Sequence, residues 1–252
     1  MNTKTPILIA IDLDGTLLND KKEITEYTKK VFYALGFQNY IIVIITARSY
    51  KRTIMYLNQI HGHFAVCNNG ASIWNKYGEC IHTRYISVQL YKELIKKIYH
   101  DFPNIKLKIV MPTQTVCVCS YQAAKYFADK PIECLLIQEH IEKALFILQD
   151  GLYQKRVLEN EILIISNHSA TKLQGLKQLL KKIHISRENT MGFGDDLNDI
   201  DFLKYCYKAI VPSNGNPKTV KIATDICDDN NLNGVAKWLS KAFDVYNGGD
   251  LQ

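Results

Sequence analysis

The chain has 252 residues, a length that fits one large domain or two modest ones. Hydrophobic residues make up 47% and charged residues 22%, with only 13 Gly and 6 Pro, so the chain has material for a real core and is neither collagen-like nor linker-rich. The formal charge of +6 comes mostly from lysines spread along the chain, and this mild excess suits a solvated surface or an anionic ligand. No basic cluster exceeds three residues and no RNA-binding motif occurs, so nucleic acid is not an expected partner.

The elements follow in chain order. Ile7–Ile11 is a short apolar run ended by Asp12, too short for a signal peptide or a membrane span, and it reads as a buried parallel strand feeding a loop. A helix is predicted at about 25–36, a strand at 41–45 leading into Thr46-Ala47-Arg48-Ser49, a helix to about Asn58, and a strand at 64–67 followed by Asn68-Asn69-Gly70. This alternation predicts an α/β sheet. From there the pattern changes. Ser72–Trp74 and Glu79–His82 flank a hairpin turn. A helix near 87–101, extended runs at 105–111 and 115–120, a helix at 139–149 and a strand at 161–165 suggest an antiparallel α+β insert. The alternation then returns, with helices at 171–184, 198–204 and 233–243 and strands at 190–193, 207–211 and 224–227. The expected division is a core of 1–78 and 166–252 interrupted by an insert of 79–165, with a frayed tail at Asn247-Gly248-Gly249-Asp250.

The seven cysteines, at 67, 80, 117, 119, 134, 206 and 227, form no CxxC pair or zinc spacing, which points to free thiols in a reducing cytoplasm. Cys117 and Cys119, on one face of an alternating run, read as packed strand residues. Tyr121 and Tyr126 read as core of the insert, and His61-Gly62-His63 as loop residues.

The chemistry collects where ligands gather in open α/β sheets, beyond the carboxyl ends of the strands. Asp12 and Asp14 follow the first strand, and two carboxylates that close together are costly unless a cation joins them. Gly15 permits the sharp turn that aims both at one point. A second acidic group, Asp195, Asp196 and Asp199, follows a later strand and could complete a site for a hard divalent cation, with Asp199 one helical turn after Asp195. A lone acidic turn is an ordinary helix cap; two such clusters, each after an apolar strand, argue for a metal and a phosphate. An aspartate there can act as a nucleophile on phosphorus while a second carboxylate exchanges protons. Thr46 could donate to the phosphoryl group and Lys172 could neutralise it, although Lys172 taken alone reads as one solvated lysine among many.

The string IDLDGTLL, a strand ending ITAR, a lysine opening a helix and then GFGDDLNDIDFL resemble, in order and over nearly the whole chain, the haloacid dehalogenase (HAD) superfamily. The insert between the second and third motifs, the Asn68-Asn69-Gly70 turn and the ending VPSNG…GVAKWL resemble its Cof-type branch, subfamily IIB. The resemblance implies a Rossmann-like parallel-sheet core with an inserted α+β cap that closes over the site. It implies Asp12 as nucleophile and Asp14 as general acid/base, with Thr46, Ala47, Lys172 and Asn198 at the phosphate. Mg²⁺ would be held by Asp12, the Asp14 carbonyl and Asp195, with Asp199 in support, and Arg48, Asn69 and Asn214 could touch substrate. The chain departs from the family pattern in three places: TAR stands for the common TGR, Leu173 follows the lysine where glycine is usual, and Ser213-Asn214-Gly215-Asn216 replaces a GNA sequence, leaving Asn214 and Asn216 as alternatives for its Asn. Transport ATPases and dehalogenases of the superfamily lack a carboxylate at the Asp14 position, so Asp14 favours phosphoester chemistry. The expected function is a Mg²⁺-dependent phosphatase for a small phosphorylated metabolite, such as a sugar phosphate. The alternatives are a phosphomutase on the same scaffold or a non-catalytic phosphate-ligand-binding protein.

Overall fold

The computed structural model describes residues 6–148, 153–158 and 162–246. In chain order the first elements are β1 (Ile7–Ile11), α1 (Glu26–Leu35), β2 (Tyr40–Ile45), α2 (Tyr50–Gln59), β3 (Phe64–Cys67), β4 (Ser72–Asn75) and β5 (Cys80–Thr83). The middle holds α3 (Val88–Asp101), β6 (Leu107–Val110), β7 (Thr115–Val118), α4 (Tyr121–Lys125), β8 (Cys134–Ile137), α5 (Ile141–Ile147), β9 (Tyr153–Leu158) and β10 (Ile162–Asn167). The last stretch holds α6 (Lys172–Ile183), β11 (Thr190–Phe193), α7 (Ile200–Tyr205), β12 (Lys208–Pro212), α8 (Pro217–Val220), β13 (Asp225–Cys227) and α9 (Gly234–Phe243). The chain forms two compact units, Met1–Ile81 with Lys172–Gln252, and His82–Thr171.

The first unit is built on a sheet of order β13-β12-β11-β1-β2-β3-β4-β5, in which β13 to β3 run parallel and β3 pairs antiparallel with β4. Its strands are apolar on both faces because both faces are covered. Ile9 and Ile11 of β1 pack with Val31, Phe32 and Leu35 of α1, Leu57 of α2 and Leu239 of α9. Leu8 and Ala10, pointing the other way, pack with Leu176 and Leu179 of α6 and Phe202 and Leu203 of α7. Each fully buried Leu, Ile or Phe contributes about 1.5–3 kcal/mol. β1 and β11 lie side by side at the centre, with Ile11 opposite Phe193, so the loops after both strands emerge together.

The second unit is an antiparallel sheet of order β7-β6-β8-β10-β9, whose core includes Tyr91, Ile95 and Ile98 of α3 with Leu107, Leu135 and Leu163 of the sheet. The α+β character expected for the insert is present, with three elements the sequence reading passed over. These are α4, too short to show a period, β8 (CLLI), four apolar residues without alternation, and β9. The end of the helix predicted at 139–149 and the start of the strand at 161 lie outside the described residues, as does the 247–250 tail. Two readings need correction. Cys117 and Cys119 are exposed, because it is Val118 between them that faces the core. Tyr121 packs at the edge of the core, whereas Tyr126 stands in solvent just past the short α4. Among the described residues no helix is long and apolar enough to cross a membrane.

Candidate active site

The Asp12 N–H still donates to Phe193 O at 2.9 Å, so the sheet positions Asp12 before the chain turns. The turn is tight: Leu13 O accepts from Leu17 N at 3.1 Å and Leu18 N at 2.9 Å. Gly15 has φ +78°, and a Cβ there would lie 2.3 Å from Asp195 Oδ2, so glycine is required both by conformation and by space. This close approach lets Thr16 Oγ1 donate to Asp195 Oδ1 at 2.6 Å, joining the two acidic clusters directly.

Lys172 enters from the opposite side on the first turn of α6. The helix comes close because residue 175 is glycine: a Cβ there would lie 2.4 Å from Val66 Cγ1 and 3.0 Å from Gly70 Cα. The lysine side chain is 1% exposed, and its Nζ lies 2.8 Å from Asp12 Oδ1 and 2.5 Å from Asp199 Oδ1. Lys172 is therefore not the solvated lysine it resembles when read alone. The other oxygen of Asp199 accepts from the N–H groups of Asp195 and Asp196, each at 3.0 Å, so this fully buried carboxylate anchors the second acidic loop. Gly194 makes room for it, since a Cβ there would lie 2.7 Å from Asp199 Cβ.

Oxygens of Asp12, Asp195 and Asp199 lie within 4.8 Å of one another. Three carboxylates face one ammonium, a charge balance that fits an added cation. The protonation tendencies agree. Burial first, then the neighbouring Asp199 and Asp195 charges, push the Asp12 carboxyl well above the ordinary range against the pull of Lys172. Burial is also the main cause that lifts Asp195 to about 6, opposed by the Thr16 hydrogen bond. For Lys172, burial pulls down, but the Asp12 and Asp199 charges outweigh it and raise the ammonium to about 12, so it stays charged.

Asp14 points elsewhere. Arg48 grips it with both arms of its guanidinium, Nε to Oδ2 at 2.8 Å and Nη2 to Oδ1 at 2.6 Å, and Lys22 Nζ adds a contact at 3.0 Å. Arg48 Nη1 also donates to Tyr56 Oη at 3.1 Å, and that hydroxyl donates to Lys22 O at 3.0 Å. Burial pushes the Asp14 carboxyl up, but the hydrogen bonds and charges of Arg48 and then Lys22 hold it below the usual carboxylate range. The guanidinium of Arg48 is thus engaged by Asp14 and Tyr56 in this structure.

Thr46 is buried at the end of β2; its N–H donates to Val66 O at 2.9 Å and its hydroxyl oxygen accepts from Arg48 N at 3.1 Å, leaving its O–H to donate. Ala47 lies half-buried between them. Asn68 and Asn69, at φ 47° and 55°, bend the chain after β3 so that Asn68 N donates to Arg48 O at 2.9 Å and Asn69 N to Thr46 O at 3.0 Å. Asn69 therefore buttresses the Thr46–Arg48 loop through its backbone. Asn198 is half-buried between Asp195 and Asp199 in sequence, and its Oδ1 is buried without a hydrogen-bond partner. Asn214 Nδ2 donates to Gly15 O at 2.9 Å, while Asn216 caps α8 through its side chain and donates its N–H to Asp195 O at 2.8 Å. Sequence reasoning did not single out Lys22, Tyr56 or Asn230. Only the dense Asp/Asn run Asp228–Asn233 carried a signal for the last of these.

A family model for haloacid dehalogenase-like hydrolases matches residues 9–130 and 129–239, and the chain belongs to that family. It is 25% identical, over 97% of its length and 100% of the relative's, to 5-amino-6-(5-phospho-D-ribitylamino)uracil phosphatase YitU of Bacillus subtilis (strain 168). It shares its fold with a haloacid dehalogenase-like hydrolase from Bacteroides thetaiotaomicron (TM-score 0.81, 22% identity, covering 94% of this chain and 100% of that one). It shares it also with a HAD subclass IIB sugar phosphatase (TM-score 0.76, 16% identity, 94% and 99% covered). The mixed, mainly parallel sheet and the separate antiparallel sheet are those of this fold.

Proposed function

We propose that this hydrolase is a Mg²⁺-dependent phosphatase that cleaves the phosphoric monoester of a small metabolite through an aspartyl-phosphate intermediate. The observation that carries the reading is the buried Asp12–Lys172–Asp199 chain beside Asp195, with Asp14 two residues from Asp12 in the same glycine turn. Asp12 Oδ attacks phosphorus, the P–O bond to the leaving group breaks, and the leaving oxygen takes a proton from Asp14. Asp14, now ionised, accepts a proton from water as the water attacks phosphorus and frees Asp12. Lys172 aims Asp12 and favours its ionised form against the effect of burial, and the Thr46 O–H and Asn198 are assigned to the phosphoryl oxygens. Asp12 and Asp195, together with the Asp14 carbonyl, would hold Mg²⁺, which would supply positive charge to neutralise the transferring group. Asp199, with both oxygens engaged, supports the site from behind.

Asp14 is held ionised by Arg48 and Lys22, which suits a base; as an acid it must first take a proton. An entering phosphate dianion competes for the same two cations, and this loosening of the grip favours protonation of Asp14.

We assign the second unit, His82–Thr171, the role of a cap that selects the leaving group. The substrate class proposed is a sugar or polyol phosphate. YitU is named for a substrate whose phosphate sits on a ribityl chain, and one fold neighbour is a sugar phosphatase. The free thiols suit a reducing compartment, and the cytoplasm is the setting proposed. A screen of sugar phosphates, nucleotides and phosphorylated cofactors for phosphate release, with Asp12→Asn as control, tests the reading. An isomeric sugar phosphate as product points to a mutase. Silence across the panel, with equal ligand binding by Asp12→Asn, points to a binding protein.

A further inference from the structure

The two acidic loops belong to different strands, and one loop braces both. After β12 the chain runs through Ser213-Asn214-Gly215-Asn216. Asn214 Nδ2 donates to Gly15 O at 2.9 Å, holding the turn that carries Asp12 and Asp14. Asn216 N donates to Asp195 O at 2.8 Å, holding the loop that carries Asp195. Gly215 allows the approach, since a Cβ there would lie 2.9 Å from Pro212 O and 3.3 Å from Asp195 O. The brace is itself braced: Asn214 Oδ1 accepts from Asn230 N at 3.0 Å, and Asn230 Nδ2 donates to Leu18 O at 2.8 Å. Asn231 Oδ1, farther along, accepts from Asp20 N at 3.0 Å.

Gly15 is where this anchor matters. At φ +78° it has the freest backbone of the turn. On one side of it lies the Asp14 carbonyl; on the other lies Thr16, whose hydroxyl orients Asp195 at 2.6 Å. Fixing the Gly15–Thr16 peptide therefore fixes two of the groups assigned to the cation at once. A side chain from the turn after β12 does this.

We propose that Asn214 is a positioning residue that preorganises the cation site by tying the Asp12–Thr16 turn to the Asp195 loop. This inference rests on the metal-dependent reading above and assigns both asparagines of the Asn214/Asn216 alternative, one to each acidic loop.

The test is Mg²⁺ binding to the metal-free protein by calorimetry, read beside turnover and thermal stability. Asn214→Ala is expected to weaken Mg²⁺ binding and to lower kcat by about 10- to 100-fold, with KM changed little, as loss of a group that orients a metal ligand does. Asn231→Ala, which removes the Asp20 bond and a long 3.4 Å bond to Asn230 Oδ1 but leaves the Asn214–Gly15 and Asn230–Leu18 bonds in place, is expected to lower the melting temperature and leave both constants unchanged. Should Asn214→Ala not fold, Asn230→Ala carries the test. It keeps the backbone N–H that Asn214 accepts from, removes the Leu18 bond, and is expected to weaken Mg²⁺ binding in the same direction. A folded variant that is less stable but binds Mg²⁺ as wild type overturns the proposal. If wild type binds Mg²⁺ yet releases no phosphate, the phosphatase reading fails while calorimetry still decides the role of Asn214.

Discussion

At the residue scale the site is a set of charges whose pairings decide their protonation. Lys172 faces Asp12 and Asp199 without solvent, so its removal leaves buried carboxylates unpaired. Breaking such a pair costs about 3–5 kcal/mol, so Lys172→Met is expected to lower the unfolding free energy of metal-free protein by about that amount in urea titrations. An unchanged midpoint would contradict the pairing. Arg48 makes a different prediction. The folded-state carboxyl of Asp14 lies below its ordinary value, so it stays ionised, and lends stability, until the pH falls through that depressed value. In Arg48→Met the burial that pushes Asp14 upward is less opposed, and the acid limb of the kcat–pH profile is expected to move to higher pH. A profile that does not move would show that Asp14 is not the titrating base. The carboxylates and Lys172 were legible in the sequence because each stands where an apolar strand ends or a helix begins. The Lys22–Asp14 pair was not, because nothing local distinguishes a loop lysine that folds back on the preceding turn. The bracing by Asn214 was not legible either, since an asparagine in a turn reads as turn chemistry, and its partner Gly15 is 199 residues away.

At the element scale, helix α6 delivers Lys172 only because it lies close to β3 and to the turn after it. Gly175 sets that spacing. Replacing a helical glycine by alanine favours the helix by about 1 kcal/mol. Here the new Cβ would lie 2.4 Å from Val66 Cγ1 and 3.0 Å from the Gly70 backbone, and overpacking of this kind costs about 1–3 kcal/mol. The clash is expected to win, so Gly175→Ala should lower both the melting temperature and turnover, the second through displacement of Lys172. A more stable and equally active variant would contradict this. The sequence showed a glycine two residues later than the family's usual place, which marks the same need for a close approach at another point on the helix. Elements with a clear period or a bounded apolar run, such as β1, α3 and α6, were readable in the same way. Strand β8 was not: Cys134–Ile137 is buried at three of its four positions and so lacks the alternation that marks a half-covered strand.

At the scale of the whole molecule, the two units have separate cores, and the acidic cluster and both tryptophans, Trp74 and Trp238, belong to the first. Tryptophan fluorescence therefore reports on the unit that is proposed to hold the cation. A ligand at 100 times its dissociation constant stabilises the state that binds it by about 2.7 kcal/mol. Mg²⁺ at that excess is expected to raise the fluorescence melting midpoint in wild type and not in Asp195→Asn. The composition fits the same picture: the +6 charge finds a use in an anionic substrate, while the acidic strand ends, not the net charge, carry the functional reading.

The most direct test of the account is phosphate release from the best substrate of the screen, in Mg²⁺, by wild type and by Asp12→Asn. The two side chains are nearly the same shape, and the substitution removes the nucleophilic charge and turns one acceptor oxygen into an NH₂ donor. The account predicts turnover by wild type and a loss on the order of 10⁴-fold or more in a folded Asp12→Asn. An Asp12→Asn protein that releases phosphate at close to the wild-type rate would contradict it.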